Sequence, residues 1–437
     1  MIVRQESLSC TTSSGPRLSS SLRLFILVTN FKKLGMVPQR CKTKSKGAPG
    51  VLFVAFMLRR LYQDSKSTGM NSQRFCISQQ EQDPSKRILP ISLGIPESRF
   101  KYVRNQTWPA KNRDFAHIIP NVKRTYIYNT EDDYYDSYSD AYFGITFKKG
   151  GWDAMRHYEI IASGSIPYFT DIERVPYNVL HDFPVDLIKE AMRLPGVPFV
   201  SEVMKHISNG STTNLRINHH IFNVSAYTRL LTKIVMHSKD HLTWSGRARY
   251  VLRMMNEHYP CMGKSTFSPR VLLVTIQECE YMSCVMFGGF YELLGNEKMS
   301  SLLGAKTALF RSYKTTHLYG KGYSFANTYD FWNESARTHE LNTRLENGFF
   351  NVIIFFNGAN RFCNQKQYFG GNSSKSKFLY DYQQKFNPLV VVVDGNDING
   401  CHDFFLQDDN PLEYHLHFIR EFRDTLRRPA NWTGCDC

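Results

Sequence analysis

The hydrophobic and polar positions between residues 142 and 169 alternate in blocks that predict a β-α-β unit. A β-prone run at 142–147 leads into a loop with two lysines and two glycines at 148–151. A helix-compatible segment at 152–163 follows, and Gly164 stands where a helix C-terminal glycine is expected. A second apolar run, Ile166–Phe169, completes the unit. This order of elements is typical of a parallel sheet.

A second set of apolar runs predicts another parallel sheet in the C-terminal half. Continuous apolar segments occur at 270–275, 351–356 and 389–394. They alternate with helix-compatible segments at 281–294, which Gly295 closes, and at 334–346. Because continuous apolar strands separated by helices have both faces covered, the sequence predicts an α/β protein with two Rossmann-like domains.

Three-residue and four-residue spacing of apolar positions between 215 and 259 predicts helices that cover the first half or link it to the second. The first carries Ile217, Ile221 and Val224 on one face, and the second begins with Thr243 as its N-cap. We therefore divide the chain into a tail and linker at 1–95, a first domain at 96–265 and a second domain at 266–437.

Charge is concentrated in the tail. The 437-residue chain has a formal net charge of +15, but residues 1–60 hold eleven Lys or Arg and one acidic residue, Glu6. We expect this basic tail to be disordered, and its two short apolar runs fall well below the ~20 residues that span a bilayer. No nucleic-acid-binding motif accompanies the basic residues, so neither a nucleic-acid partner nor a transmembrane span is predicted.

The loop at 148–151 and the helix after it predict an anion site. Lys148, Lys149, Gly150 and Gly151 place backbone N–H groups and positive charge beside a helix N-terminus, where phosphate binds well. Arg156 and Glu159 lie five and eight residues after Gly151, on the helix that follows the loop. Two interpretations of this pair are open: a surface ion pair at i,i+3 spacing, or ligand-binding groups.

The full motif, K-K-G-G-W-D-x-x-R-H-Y-E-x-x-A-x-G-x-I-P-Y-F, resembles the donor-binding element of exostosin-like glycosyltransferases of the GT-B fold. The resemblance covers about residues 126–186. It implies a nucleotide-sugar site with Glu159 near the ribose hydroxyls and with Arg156 and Gly150–Gly151 near the diphosphate. Retaining enzymes of this fold often carry a second glutamate eight positions after the first, where this chain has Pro167. This departure favours an inverting enzyme, or one that has lost activity.

Carboxylates after the strands of the second sheet are the candidates for a general base. Asp394 and Asp397 follow the apolar run at 389–394, and Glu280 follows the run at 270–275. Ligands of parallel sheets gather at the carboxyl ends of strands, but Asp at such positions is also a common turn former. In the resembled enzymes the acceptor domain precedes the donor domain. Here the order is reversed, so either the domains are permuted or the chain joins parts of two such units.

The predicted function is the transfer of a sugar from a nucleotide sugar to a hydroxyl of a carbohydrate or glycoconjugate acceptor. The chain has no D-x-D triplet, so no metal cofactor is expected. Six N-x-S/T sequons weakly favour the secretory pathway. The alternatives are a non-catalytic nucleotide- or carbohydrate-binding module and, third, a nucleic-acid-binding protein. The oligomeric state is not predicted.

Overall fold

Two parallel sheets form the framework of this α/β protein. The computed structural model describes residues 88–100, 108, 110–259, 268–275, 281–301, 309–311, 323–330, 334–357, 381–395 and 415–421, all within one compact unit, Ser67–Cys437. The strands are β1 (Ile88–Pro90), β2 (Arg113–Phe115), β3 (Ala141–Thr146), β4 (Ile166–Phe169), β5 (Val271–Thr275), β6 (Met299–Ser301), β7 (Val352–Asn357), β8 (Leu389–Asp394) and β9 (Leu416–Ile419). The predicted fold class is thus confirmed in its parallel sheets.

The smaller sheet has the order β2-β3-β4 and the larger one β1-β9-β8-β7-β5-β6. Every neighbouring pair is parallel. Counted from β5 onward, the larger sheet follows the order 2-1-3-4-5 of doubly wound α/β folds, with β1 added at its far edge. In such folds ligands bind beyond the carboxyl ends of the strands.

Helices of the described residues cover these sheets. They are α1 (Glu131–Ser139), α2 (Met155–Ala162), α3 (Val185–Met192), α4 (Val200–Ser208), α5 (Val224–His241), α6 (Trp244–His258), α7 (Tyr281–Lys298) and α8 (Glu334–Glu346). Thr243 caps α6 as predicted, accepting a hydrogen bond from the Gly246 N–H at 3.1 Å. Within α7 the backbone turns at Gly295, at φ 63°, where the sequence predicted the helix to end. None of the helices in this part of the chain is long and apolar enough to cross a membrane.

The larger sheet is covered on both faces, as its continuous apolar strands predict. Alternate residues of β5 point to opposite sides: Val271 and Leu273 join the main hydrophobic core, which also contains residues of α6 and α7. Leu272 joins a second core with Leu341 and Leu345 of α8. The strict alternation of a strand places these neighbours in two separate layers.

The N-terminal boundary predicted at residue 95 is wrong. Ile88–Pro90 form β1, which pairs in parallel with β9 near the other end of the described chain. Ser92, Leu93 and Ile95 are buried after it. The segment has no strong strand pattern of its own, and its burial depends on a partner more than 300 residues away. Residues 1–87 of the predicted tail lie outside the described residues, so the expected disorder stays a prediction.

The first linking helix also begins later than predicted. Asn223 is its N-cap and accepts a hydrogen bond from the Ala226 N–H at 2.9 Å. Ile221 and Val224, which were assigned to the apolar face, are 58% and 48% exposed. The helix begins after Asn223 because its side chain caps the first turn, although the spacing of apolar residues predicted an earlier start.

Candidate active site

The segment at 142–169 folds as the β-α-β unit that its sequence predicts. β3 and β4 pair in parallel, and α2 crosses between them. Gly164 ends α2 at φ 77°, with hydrogen bonds from its N–H to Ile161 and from the Ser165 N–H to Ile160. This is the Schellman arrangement that favours glycine. α2 packs tightly on β3, since a Cβ at Gly144 would come within 2.8 Å of the Ile160 side chain.

His157 fixes the loop that precedes α2. The ring is fully buried, with Nδ1 at 2.9 Å from the Thr146 hydroxyl and Nε2 at 2.8 Å from the Trp152 carbonyl. Burial lowers the pKa of His157 to about 3, against a raising effect of the Trp152 carbonyl. The neutral ring therefore donates from Nε2 to Trp152 and accepts at Nδ1 from Thr146. Its role is to hold the loop in place.

A cavity of about 560 Å³ opens beside the N-terminus of α2. Its wall combines charged groups from this loop and helix with a set of aromatic rings. The lining residues are Leu93, Tyr126, Tyr128, Tyr134, Lys149, Gly150, Gly151, Asp153, Ala154, Met155, Arg156, Glu159, Tyr281, Tyr323, Phe325 and Arg420. The volume lies within the range of small-molecule sites, and a mainly apolar wall with a few polar groups is typical of them.

Arg156 is a buried charged group of this cavity. The residue is 6% exposed, and its Nη1 is buried without a hydrogen-bond partner among the described residues. A guanidinium remains charged at every physiological pH. Leaving a buried charged donor unpaired costs more than the 1–3 kcal/mol of a neutral group, so an anion in the cavity would gain this interaction.

The N-terminus of α2 adds backbone donors at the same place. Ala154 is the N-cap residue and supplies no side-chain cap. The first N–H groups of a helix have no intrahelical partners, and the helix dipole makes this end positive. Lys149, Gly150 and Gly151 line the cavity next to it. The predicted anion site thus has its loop, helix end and Arg156 on one wall.

Lys148 lies apart from this wall. Its Nζ donates to the carbonyls of Lys149 and Gly150 at 3.3 and 3.4 Å, and it lies 5.9 Å from the Trp152 ring centroid. It is not among the residues that line the cavity. Of the two candidate lysines, Lys149 is therefore the one placed to meet a ligand.

Glu159 is held by protein donors. The residue is 6% exposed, and its Oε2 accepts from the Tyr134 hydroxyl at 2.5 Å while its Oε1 accepts from the Ser324 hydroxyl. Burial raises the pKa of Glu159, and the two hydroxyls and Arg156 act in the opposite direction. Because both members are buried and Glu159 bonds to these hydroxyls, the interpretation of Arg156 and Glu159 as a surface ion pair is wrong.

Arg420 brings the end of β9 to the same cavity. It is 4% exposed, and it donates from Nε to the Gly395 carbonyl at 2.7 Å and from Nη1 to the Asp153 carbonyl at 2.5 Å. The carboxylate of Glu421 accepts the Asp153 N–H at 2.9 Å. The carboxyl ends of β3 and β9 therefore meet at one cavity.

Asp153 organises this junction. Its Oδ2 accepts the Leu93 N–H at 2.7 Å and its Oδ1 accepts the Tyr158 hydroxyl at 2.6 Å. Together with its backbone contacts to Arg420 and Glu421, these bonds join the segment after β1, helix α2 and the end of β9. Because its carboxylate serves these contacts, Asp153 is a structural centre of the site.

Of the three candidate general bases, only Asp394 lies within the described residues. Asp394 is 2% exposed at the end of β8, and it is not among the residues that line the cavity. Its carbonyl accepts the Arg420 N–H at 3.0 Å, so the strand end lies next to the site. Asp397 and Glu280 lie outside the described residues. The assignment of a general base stays a prediction.

Several residues of the site had no usable signal in the sequence. Arg420 follows a four-residue strand, and Tyr134 and Ser324 reach Glu159 from positions 25 and 165 residues away. Asp153 belongs to the motif at 148–169, but its hydrogen bonds to Leu93 and Glu421 join segments that are far apart in the sequence. In the described ranges, no group of three or more His, Cys, Asp or Glu side chains could hold a metal ion.

Comparison with family models, with curated proteins and with solved structures finds no match for this chain.

Proposed function

We propose that this chain binds a nucleotide-activated sugar in the cavity beside α2 and transfers the sugar to an acceptor hydroxyl. The observation that carries the proposal is the buried Nη1 of Arg156, which lacks a partner among the described residues beside an uncapped helix N-terminus. These groups suit a diphosphate. It carries two negative charges, and its oxygens can accept hydrogen bonds from a planar guanidinium and from backbone N–H groups. The resemblance of the motif to a donor-binding element points to the same ligand.

The rest of the cavity suits the remainder of such a ligand. Aromatic rings offer faces for a base or sugar, and the cavity is large enough for a nucleotide. The rings are those of Tyr126, Tyr128, Tyr134, Tyr281, Tyr323 and Phe325. In the transfer, positive charge at Arg156 and the helix end would stabilise the departing diphosphate where negative charge develops. We expect an inverting reaction without a metal, with the base supplied after β8.

A second candidate is a nucleotide-binding module without catalysis. The observation that favours it concerns the two carboxylates that line the cavity. Asp153 accepts from Leu93 and Tyr158, and Glu159 accepts from Tyr134 and Ser324. Neither is poised to deprotonate an acceptor, so catalysis depends on a base that lies elsewhere.

Calorimetric titration with UDP, GDP, ADP and CMP sugars tests the proposal. We expect one series to bind, and we expect Arg156→Met to weaken that binding by roughly 1–3 kcal/mol, or about 5- to 150-fold, because a charge-assisted hydrogen bond is lost. Arg253→Met is the matched control, because the Arg253 side chain is 56% exposed on α6, where it pairs with Glu257 and lies over the Tyr250 ring, and it does not line the cavity. Equal binding by both variants would refute the site.

Assay of sugar transfer or donor hydrolysis separates the two candidates. The transferase hypothesis expects release of the nucleoside diphosphate that depends on an added acceptor or on water. A module would bind the same nucleotide sugar and leave it intact over hours. Binding without turnover would therefore favour the module and remove the general-base assignment.

A further inference from the structure

Both oxygens of Glu159 are engaged by side chains of the protein. The Tyr134 hydroxyl donates to Oε2 at 2.5 Å, and the Ser324 hydroxyl donates to Oε1. Tyr134 lies on α1, whereas Ser324 comes from a segment far along the chain. A group that mainly binds ribose hydroxyls would leave at least one oxygen turned to the ligand. The contacts here indicate that Glu159 bonds chiefly to the wall of its own site.

Ser324 is fixed at an unfavourable backbone conformation. Its φ is 75°, in the left-handed region that costs a non-glycine residue roughly 1–2 kcal/mol. Besides the bond to Glu159, its N–H donates to Glu131 Oε1 at 2.8 Å. The side chain is fully buried. Such a conformation persists only when its surroundings hold it, and two carboxylates do so here.

The residues on either side of Ser324 form part of the aromatic wall. Tyr323 packs against Tyr134 with ring centroids 5.2 Å apart, and Phe325 packs edge-on against Tyr281 at 4.8 Å. All four rings line the cavity. Because Ser324 lies between Tyr323 and Phe325, its bond to Glu159 ties down the backbone segment that carries both rings.

We propose that Glu159 is a positioning residue: it anchors Ser324 and so holds the Tyr323–Phe325 wall against which the nucleoside part of the ligand packs. This inference rests on the proposed function for its ligand. It differs from the role that the resemblance implies, in which Glu159 contacts ribose directly. Phosphate binding belongs to Arg156 and the Lys149–Gly151 loop, and it is independent of the anchor.

Titration of the Ser324→Ala variant with UDP, GDP and ADP, and separately with inorganic pyrophosphate, distinguishes the two roles. We expect affinity for the nucleoside diphosphate that binds to fall by about tenfold, while pyrophosphate affinity stays within about twofold. The control is Ser208→Ala, whose exposed hydroxyl bonds only to the Met204 carbonyl within α4. A Ser324→Ala variant that binds the nucleotide as the wild type does, or more tightly, would overturn the proposal.

A double-mutant cycle adds a second criterion. If Glu159 acts through Ser324, the Glu159→Gln/Ser324→Ala variant should bind nucleotide no more weakly than Glu159→Gln alone. Direct ribose contact would instead make the two losses add. Additive losses would therefore overturn the positioning role.

Amide hydrogen exchange without ligand tests the anchor itself. We expect the amides of 323–330 to exchange faster in Ser324→Ala and in Glu159→Gln, and to be unchanged in Ser208→Ala. Unchanged exchange in the first two variants would overturn the anchor. If the wild type binds neither nucleotide nor pyrophosphate, the proposed function fails, and this measurement still decides whether Glu159 holds the wall.

Discussion

Replacing Arg420 by methionine should destabilise the protein more than any surface substitution of the same kind. The guanidinium is 4% exposed and donates to the carbonyls of Gly395 and Asp153. Methionine fills a similar stem volume but donates no hydrogen bond, so both buried carbonyls lose a charged donor. At about 1–3 kcal/mol for each of the two unsatisfied carbonyls, the loss should be roughly 2–6 kcal/mol.

Guanidinium chloride unfolding followed by circular dichroism measures this loss. The free energy of unfolding in water is compared for wild type, Arg420→Met, Arg420→Lys and the control Arg253→Met. The control should lose less than about 1 kcal/mol, since an exposed ion pair contributes little. Arg420→Lys should fall between, because one ammonium group lacks the planar fork that spans both carbonyls.

A loss for Arg420→Met no larger than that of the control would refute the reasoning. It would mean that the carbonyls of Gly395 and Asp153 find water or another donor when the guanidinium is absent. The end of β9 would then not be joined to the N-terminus of α2 through this side chain. The link between the two sheets at the cavity would then depend on other contacts, among them the bonds of Asp153 to Glu421 and to the Leu93 N–H.

Two further predictions concern stability. The pKa of His157 is about 3 in the folded protein and 6.5 ordinarily, so the unfolded chain takes up a proton between these values and the folded one does not. The contribution of the neutral ring to the free energy of unfolding is therefore complete above pH 6.5, and it is lost as the pH falls toward 3 at up to about 1.4 kcal/mol per pH unit. In urea unfolding, the free energy of unfolding of His157→Gln should depend on pH less steeply than that of the wild type, by that amount between pH 3 and 6.5. Removal of residues 1–95 should lower the urea midpoint well below that of a chain lacking only 1–87, because it strips β1 from the edge beside β9; equal midpoints would show that β1 contributes nothing.

Local signals in the sequence were sufficient for most of the elements near the site. Gly164 could be assigned because a helix C-terminus with positive φ favours glycine, and Thr243 because a threonine hydroxyl caps a helix. The apolar run of β8 identified a strand buried on both faces. Each of these features depends on residues within a few positions of one another.

Contacts between distant segments were beyond the reach of such signals. β1 is three residues long, and only its pairing with β9 makes it a strand. Arg420 and Asp153 lie 267 residues apart, and Ser324 and Glu159 lie 165 apart. Nothing in the local pattern tells a buried arginine at a strand end from an exposed one. The sequence motif identified the wall formed by the loop at 149–151 and by Arg156. Other lining residues, such as Phe325 and Arg420, reach the cavity only through the fold.

Under the proposed function the donor half precedes the acceptor half, and this order is compatible with a single site for a geometric reason. Parallel strands carry their functional loops at the carboxyl end, so a cavity forms wherever two such ends face each other, whichever sheet comes first in the chain. Here the loop after β3 and Arg420 after β9 line the same space, and Tyr281 opens the helix that follows β5. β1 strengthens the arrangement, because the Leu93 N–H just after it bonds to Asp153 at the N-terminus of α2. Because β1, the first strand of the described residues, belongs to the larger sheet, the segments that line the cavity come from both ends of the described chain.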